Sequence, residues 1–563
     1  MKSATPFVRA SIAAVAACMA TTAECRASER GEVMVSDFSA QAAKGGWRSF
    51  PYETKSGIKG TMLYAPWGEE KRLRAEIPLP YRGKCRIMLG LAGTRDPASE
   101  SQAPFVIKVR LARDPAPVIM DSPAMSRDGG WWFQLCENEW KAADLDNDVL
   151  VVENVRRART ALAWVRLLPV DELPDYAHPE HEMIATNDAY APVDGIDELL
   201  APIMRLSSSP VKKIFYCVGN GAYSFAVPSR VAISSGFEED AIYENAYARE
   251  CARSYAKLQR ECPDLLGRLA DFTHSRGMEF HVSFRTGCTV DLMRFADASN
   301  SADPGVAARG ICRPEHYCRL WDGTPVPRFS YADGAVQDFF LKFYSEMLTG
   351  KVDGINLIWI RALPAMLYEP AFRARFRATY GEEMPNPDDV RVVKLRAEIM
   401  TDFHRRVRAL AGKRHFSIFV PADGRSCEKF GLDVARLARE GIVDEILVGN
   451  SIQTARHDEG LGLIDFGYFR KALAGTSVRF RTFFGWGGID EFKTACANGS
   501  DGVVCWDAAA KPWWKWERFR LLTDSDASRA IKWDADNPPS SRVHPLKMLN
   551  GFDAERYPWH VAY

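Results

Sequence analysis

The 563-residue chain has no net charge, because Lys plus Arg and Asp plus Glu number 73 each. That balance gives no support for a nucleic-acid or other polyanion partner, and a nucleic-acid partner is not expected. Cys-x-x-Cys is absent, and the spacing of the 13 cysteines matches no metal site. No glycine-rich phosphate loop follows an early strand, so dinucleotide chemistry has no anchor and the sequence points to no cofactor. Beyond the N-terminus there is no apolar run long enough to span a bilayer.

What is present begins with a leader. Lys2 and Arg9 precede the small apolar run Ala10 to Ala20, then polar Thr21-Thr22-Ala23-Glu24. We read residues 1–27 as an export signal with ordinary cleavage between Ala20 and Ala27. Val15-Ala16-Ala17-Cys18 also matches a lipoprotein box, which would anchor the chain to a membrane through lipid on Cys18 and nowhere else. The expected location is secreted or periplasmic, or lipid-anchored at the bacterial cell surface. Export permits disulfides. Cys312 and Cys318 could bridge within one loop, whereas Cys217 and Cys505 read as inert core thiols.

Residues 34–170 read as an antiparallel β-sandwich, with short strand-like runs separated by Gly, Pro and Asp turns. Trp131, Trp132 and Trp140 could form a sugar-stacking platform there, or close the sandwich. Residues 171–182 are rich in Pro, acids and His and read as a linker. Over 183–523 strands and helices alternate. The strands expected are Met183 to Thr186, Lys213 to Val218, Glu279 to Phe284, Gly354 to Ile360, His415 to Val420, Glu445 to Val448, Val478 to Phe484 and Gly502 to Trp506. The Gly354 strand is apolar on both faces, as a buried parallel strand must be. Eight such units are the count of an α/β TIM barrel, (β/α)8, with an open doubly wound sheet as runner-up. Residues 524–563 read as a C-terminal tail.

In a (β/α)8 barrel the strand carboxyl ends hold the site. Here those ends carry Asn187, Asp188, Asn220, Arg285, Arg361, Asp423, Trp486, Trp506 and Asp507. Polar partners for hydroxyls beside flat apolar rings suit a polysaccharide or glycan, and each residue could equally just end its strand. Asp507 and Asp423 are the candidate catalytic carboxylates. Asn187, Asp188, Asn220, Arg285, Asn356, Arg361, Trp486 and Trp506 are the candidate substrate contacts. His281, inside a strand, is a proton shuttle or a core histidine. Oligomeric state is not readable from the sequence.

The barrel half resembles the glycosyl-hydrolase-like family 10 proteins, secreted bacterial TIM-barrel proteins. The resemblance lies in Arg276-Gly277-Met278-Glu279 leading to Ser283-Phe284-Arg285, in Phe329-Ser-Tyr-Ala-Asp333 and in Val352-Asp-Gly-Ile-Asn-Leu-Ile-Trp-Ile-Arg361. Gly431-Leu-Asp-Val434 and Glu440 to Glu445 extend it, and Pro78 to Ala92 with Trp164 to Pro169 look like the preceding β-domain. The resemblance implies a glycoside hydrolase on a glycan. Such proteins usually carry Gly-Ile-Glu-Leu-Asp-Phe on the central strand, where this chain has Asn356 and Ile358. They also tend to have Asn-Asp and a His after the third-strand Arg, where this chain has Thr286-Gly287-Cys288. Glycoside hydrolysis generally needs two carboxyl groups. The alternatives to an enzyme are therefore a carbohydrate-binding pseudoenzyme and a structural cell-surface protein.

Overall fold

The computed structural model describes residues 31–93, 105–121, 134–156, 158–176, 182–188, 192–224, 227–234, 246–287, 311–387, 389–449, 464–484, 489–508, 513, 520 and 542–553. These fall into two compact units. One takes the chain up to Asp175, with Trp513 and the strands from Arg542 on. The other runs from Tyr176 to Ala508, with Arg520. The leader, Cys18, Trp131, Trp132 and Trp486 lie outside the described residues.

The first unit is an antiparallel sandwich of two sheets. The larger has nine strands and is centred on Arg82–Gly93 between Gln134–Asp146 and Thr160–Pro169. The smaller orders Arg74–Pro78, Val149–Asn154, Val106–Leu111 and Val118–Asp121. In the larger sheet Trp164 lies opposite Gly90. A Cβ on Gly90 would sit 2.2 Å from the Trp164 ring, so glycine is what lets the indole lie flat on its neighbour strand. The buried Glu137 accepts the Trp164 Nε1 proton at 2.8 Å and lies 2.9 Å from Arg166 Nε, so the carboxylate enters the core paired. Trp140 is buried, which removes it from any sugar platform. Part of the segment read as a C-terminal tail belongs to this sheet. Arg542–His544 pairs with Gln134–Asp146, and Leu546–Leu549 pairs with Arg48–Thr54.

The second unit contains eight parallel strands: Glu182–Asn187, Val211–Asn220, Glu279–Arg285, Gly354–Ile358, His415–Pro421, Glu445–Gly449, Arg479–Phe484 and Gly502–Cys505. Each bonds to the next, and the eighth bonds back to the first, so the sheet is a closed barrel. The open-sheet alternative is thereby excluded. Aspartates start many of the helices between the strands. Asp264, Asp333, Asp389, Asp423, Asp433 and Asp465 each accept a backbone N–H from the first turn that follows. A carboxylate there satisfies an otherwise unpaired donor at the positive end of the helix.

Side chains fill the barrel in layers of unlike chemistry. Near the strand amino ends lies an ionic layer of Glu182, Lys213, His281, His415, Glu445 and Arg481. Glu445 Oε1 accepts from Arg481 Nε, and Arg481 Nη2 reaches Glu182 Oε2 at 2.8 Å. Lys213 Nζ and His415 Nε2 stand 3.9 and 3.7 Å from Glu445 Oε2. Burial would raise the Glu445 pKa, but Arg481, Lys213 and His415 outweigh it and hold the carboxyl below its ordinary value. His281 belongs to this layer, at the end opposite the mouth. Its Nε2 lies 2.9 Å from Glu279 Oε2 and its ring is fully buried, so it is a core histidine and not a shuttle for the mouth. Gly354 makes room for it, since a Cβ there would meet His281 Nδ1 at 2.4 Å. Above the ionic layer is an apolar cluster of Ile184, Phe215, Ile358, Ile360, Phe419, Leu447, Val504 and Trp506.

Candidate functional site at the barrel mouth

Strand alternation decides which predicted residues face the interior. Ile184 is in the apolar cluster, so Thr186 and Asp188 share its inward side. Asn187 is level with Tyr216, on the side facing the helices. Arg285 closes the third strand, with Asn220 beside it in register. Arg285 Nη2 pairs with Asp188 Oδ2, and both side chains are largely buried. The Asp188 backbone N–H donates to Asp507 Oδ1 at 3.3 Å, and the Asp507 N–H donates to Thr186 Oγ1 at 2.7 Å. A chain of contacts thus joins the ends of the third, first and eighth strands. Thr186 was not singled out from the sequence. Its position two residues before Asp188, on the same face, was the available signal.

Arg361 lies just beyond the fourth strand, its guanidinium 5.0 Å from the Trp506 ring centroid. Trp506 is itself buried among Phe419 and Phe483, at ring distances of 5.6 and 6.5 Å, so it forms a floor beneath Arg361 rather than an open platform. Cys217 sits within electrostatic reach of Arg285, Asp188 and Arg361. Burial pushes its thiol up to about 12 against the two arginines, so it stays protonated. Among the described residues Asn220 Oδ1 is buried without a hydrogen-bond partner, an acceptor that water or a ligand hydroxyl would satisfy.

Two candidates are occupied with structural work. Asn356 is fully buried. Its Oδ1 accepts from Ser283 Oγ at 2.9 Å, and its Nδ2 donates to Ser417 Oγ at 2.8 Å, so it ties three neighbouring strands together below the mouth. Asp423 Oδ1 accepts from Ser426 N at 2.7 Å and caps the helix Gly424–Lys429. Ile358, two residues further along the same strand, is sealed in the apolar cluster. Cys312 and Cys318, which could have bridged, are separate buried thiols. Among the described residues no three His, Cys, Asp or Glu side chains converge on a metal-holding point.

The arrangement offers two guanidiniums, an acceptor carboxylate pair at Asp188 and Asp507, and an amide oxygen at Asn220. It can orient hydroxyls and anionic oxygens through fixed donors and acceptors. No family model and no curated protein matches the chain. Solved structures similar to it include a Thermus thermophilus alpha-galactosidase, at 12% identity over 90% of this chain and 99% of that one, with a TM-score of 0.33. A ruminal GH26 endo-beta-1,4-mannanase follows at 10% identity, over 82% and 90% of the two chains, with a TM-score of 0.29. The old yellow enzyme from Trypanosoma cruzi is similar at 11% identity, over 58% and 84%, with a TM-score of 0.35. At these values the likenesses assign neither family nor activity to the chain.

Proposed function

We propose that this is an exported glycoside-hydrolase-like barrel that binds a glycan at its mouth without hydrolysing it. The resemblance to glycosyl-hydrolase-like family 10 belongs to the same reading. One observation carries the proposal. Positions 356 and 358 of the central strand hold an amide committed to Ser283 and Ser417 and an isoleucine buried in the apolar cluster. The strand ends meanwhile present Arg285, Asp188, Asp507 and Arg361. An amide and an alkyl group supply neither the proton donor nor the nucleophile that glycoside hydrolysis needs.

A second reading is favoured by Asp507 alone. Its backbone is left-handed, at φ 45°, which a non-glycine residue adopts at a cost and which often marks a working site. In that reading Asp507 is a recruited catalytic group, partnered by Asp188 or Asp423.

The test is binding and turnover on one panel of manno-, xylo-, cello- and chito-oligosaccharides. Calorimetry should show a bound sugar and reducing-end assays no release, with Arg361→Ala weakening binding at least about tenfold. Release that Asp507→Asn abolishes would establish the second reading. Failure to bind any sugar in the panel, with no release, would defeat both.

A further inference from the structure

The connections after the third and fourth barrel strands open on the same end of the barrel as Arg285 and Arg361. One of them carries a short hairpin, Tyr317–Arg319 paired antiparallel with Pro325–Phe329. Its tip is tightly made. Leu320 N donates to Thr324 O at 2.9 Å, Gly323 N donates to Leu320 O at 3.0 Å, and Asp322 Oδ1 accepts from Thr324 N at 2.9 Å. The other connection is bound to it. Tyr368 N donates to Arg319 O at 3.0 Å, and Tyr331 N donates to Ala365 O at 2.7 Å. Beneath both lies the buried carboxylate of Glu369, which accepts from Arg319 N at 3.2 Å, Leu367 N at 3.0 Å and the Ser330 hydroxyl. Burial raises its pKa in spite of these three donors. Placing a carboxyl group there carries a desolvation cost, and its bonds fix the two loops to each other.

What this construction presents outward is an indole. Trp321 at the hairpin tip is 38% exposed and Leu320 beside it 44%. The Arg373 guanidinium lies over the Trp321 ring, 4.4 Å from its centroid. Arg373 is held in turn, donating from Nε to Tyr368 O at 2.8 Å and from Nη2 to Trp321 O at 3.2 Å. Tyr368 meets the indole edge-on, with centroids 5.2 Å apart and planes at 83°. One side of the ring is backed by a fixed cation and a phenol ring stands perpendicular to it, so the exposed part of the indole has a set orientation.

The occupant follows from size and chemistry. A protein partner needs roughly 800 Å² of surface per side. The large exposed apolar residues described on this unit are Leu320, Trp321 and Val390, the last on a helix elsewhere in the chain. Two adjacent side chains are far too little for a protein and enough for one ring. A rigid indole held in a set orientation matches the apolar C–H face of a pyranose. We propose that Trp321, backed by Arg373 and braced by Tyr368, is an outlying subsite that stacks one neutral pyranose of a glycan whose other end lies in the mouth. This rests on the glycan-binding reading above.

The test uses the full chain and the oligosaccharide series that it binds, at disaccharide and hexasaccharide lengths. Trp321→Ala should weaken the hexasaccharide roughly three- to tenfold, leave the disaccharide unchanged, and leave thermal stability unchanged. Trp321→Phe should restore most of the loss. Equal hexasaccharide affinity in wild type and Trp321→Ala, with Arg361→Ala still impaired, overturns the subsite and leaves the mouth reading standing. Equal weakening of both lengths by Trp321→Ala also overturns it. If wild type binds neither length of any sugar, the mouth reading fails and the subsite with it.

Discussion

His404 should make the barrel unit acid-labile over a definable window. It sits on the long helix Val390–Ala411 with its ring fully buried. Trp359 Nε1 donates to its Nε2 at 2.9 Å, and its Nδ1 lies 2.6 Å from the Met400 carbonyl, to which it donates. Both nitrogens are thus used by the neutral ring, and a second proton would displace the Trp359 donor. Burial lowers its pKa from 6.5 to about 4, while the Met400 carbonyl opposes the fall. The unfolded chain takes the proton below about 6.5 and the folded chain only below about 4, so acid favours unfolding between these values. That difference of about 2.5, at 1.36 kcal/mol for each pKa unit, is about 3 kcal/mol, or a roughly three-hundredfold rise in the opening equilibrium. The loss begins as pH falls through 6.5 and is complete near 4. Hydrogen exchange read by mass spectrometry on peptides of the helix Val390–Ala411 measures it directly. In His404→Gln the side-chain oxygen still accepts from Trp359 but does not titrate, so the pH slope should flatten by close to one proton. An equal slope in wild type and His404→Gln, or a folded-state His404 titrating near 6.5 by NMR, would refute the reasoning.

The ionic layer gives a second expectation. Arg481→Met leaves Glu445 buried with only Lys213 and His415 at longer range, and should cost roughly 3–5 kcal/mol in urea unfolding. The double change Glu445→Gln with Arg481→Met should recover most of it, and a double variant no better than the single would count against an uncompensated charge as the cause. Ile358→Asp, which would put an acid on the central strand, should instead place a carboxylate in the apolar cluster and lower stability by several kcal/mol without creating hydrolysis. A soluble, hydrolytically active Ile358→Asp protein would show that the cluster does not exclude chemistry.

The barrel was legible because a strand such as Gly354–Ile358 is apolar on both faces, and because eight such segments alternate with helical ones along the chain. The mouth was legible to the extent that strand ends are visible in sequence. Arg285, Asp188 and Asp507 come together, whereas Asn187 lies one position off the inward face. The ionic layer was not legible. Lys213, Glu445 and Arg481 read as ordinary charges near strand starts, and only closure of the sheet turns them inward. Asn356 looked available for a ligand because nothing in the linear sequence pairs it with Ser283 and Ser417, which lie on neighbouring strands far away along the chain. The hairpin that carries Trp321 gave no sequence signal either, since its anchor, Glu369, belongs to a different connection.

The sandwich closes late. Ser56 and His544, whose side chains meet at 3.0 Å, are 488 residues apart, and nearly the whole barrel is synthesised between the two partners. Chains emerge from the ribosome at about 5–20 residues per second, so the edges of Arg48–Thr54 and Gln134–Asp146 wait unpaired for on the order of a minute. Unpaired edges recruit other strands. During that interval the nascent protein depends on whatever shields those two edges, and a stop codon shortly before Arg542 would make the exposure permanent while leaving every described residue of the barrel unit intact.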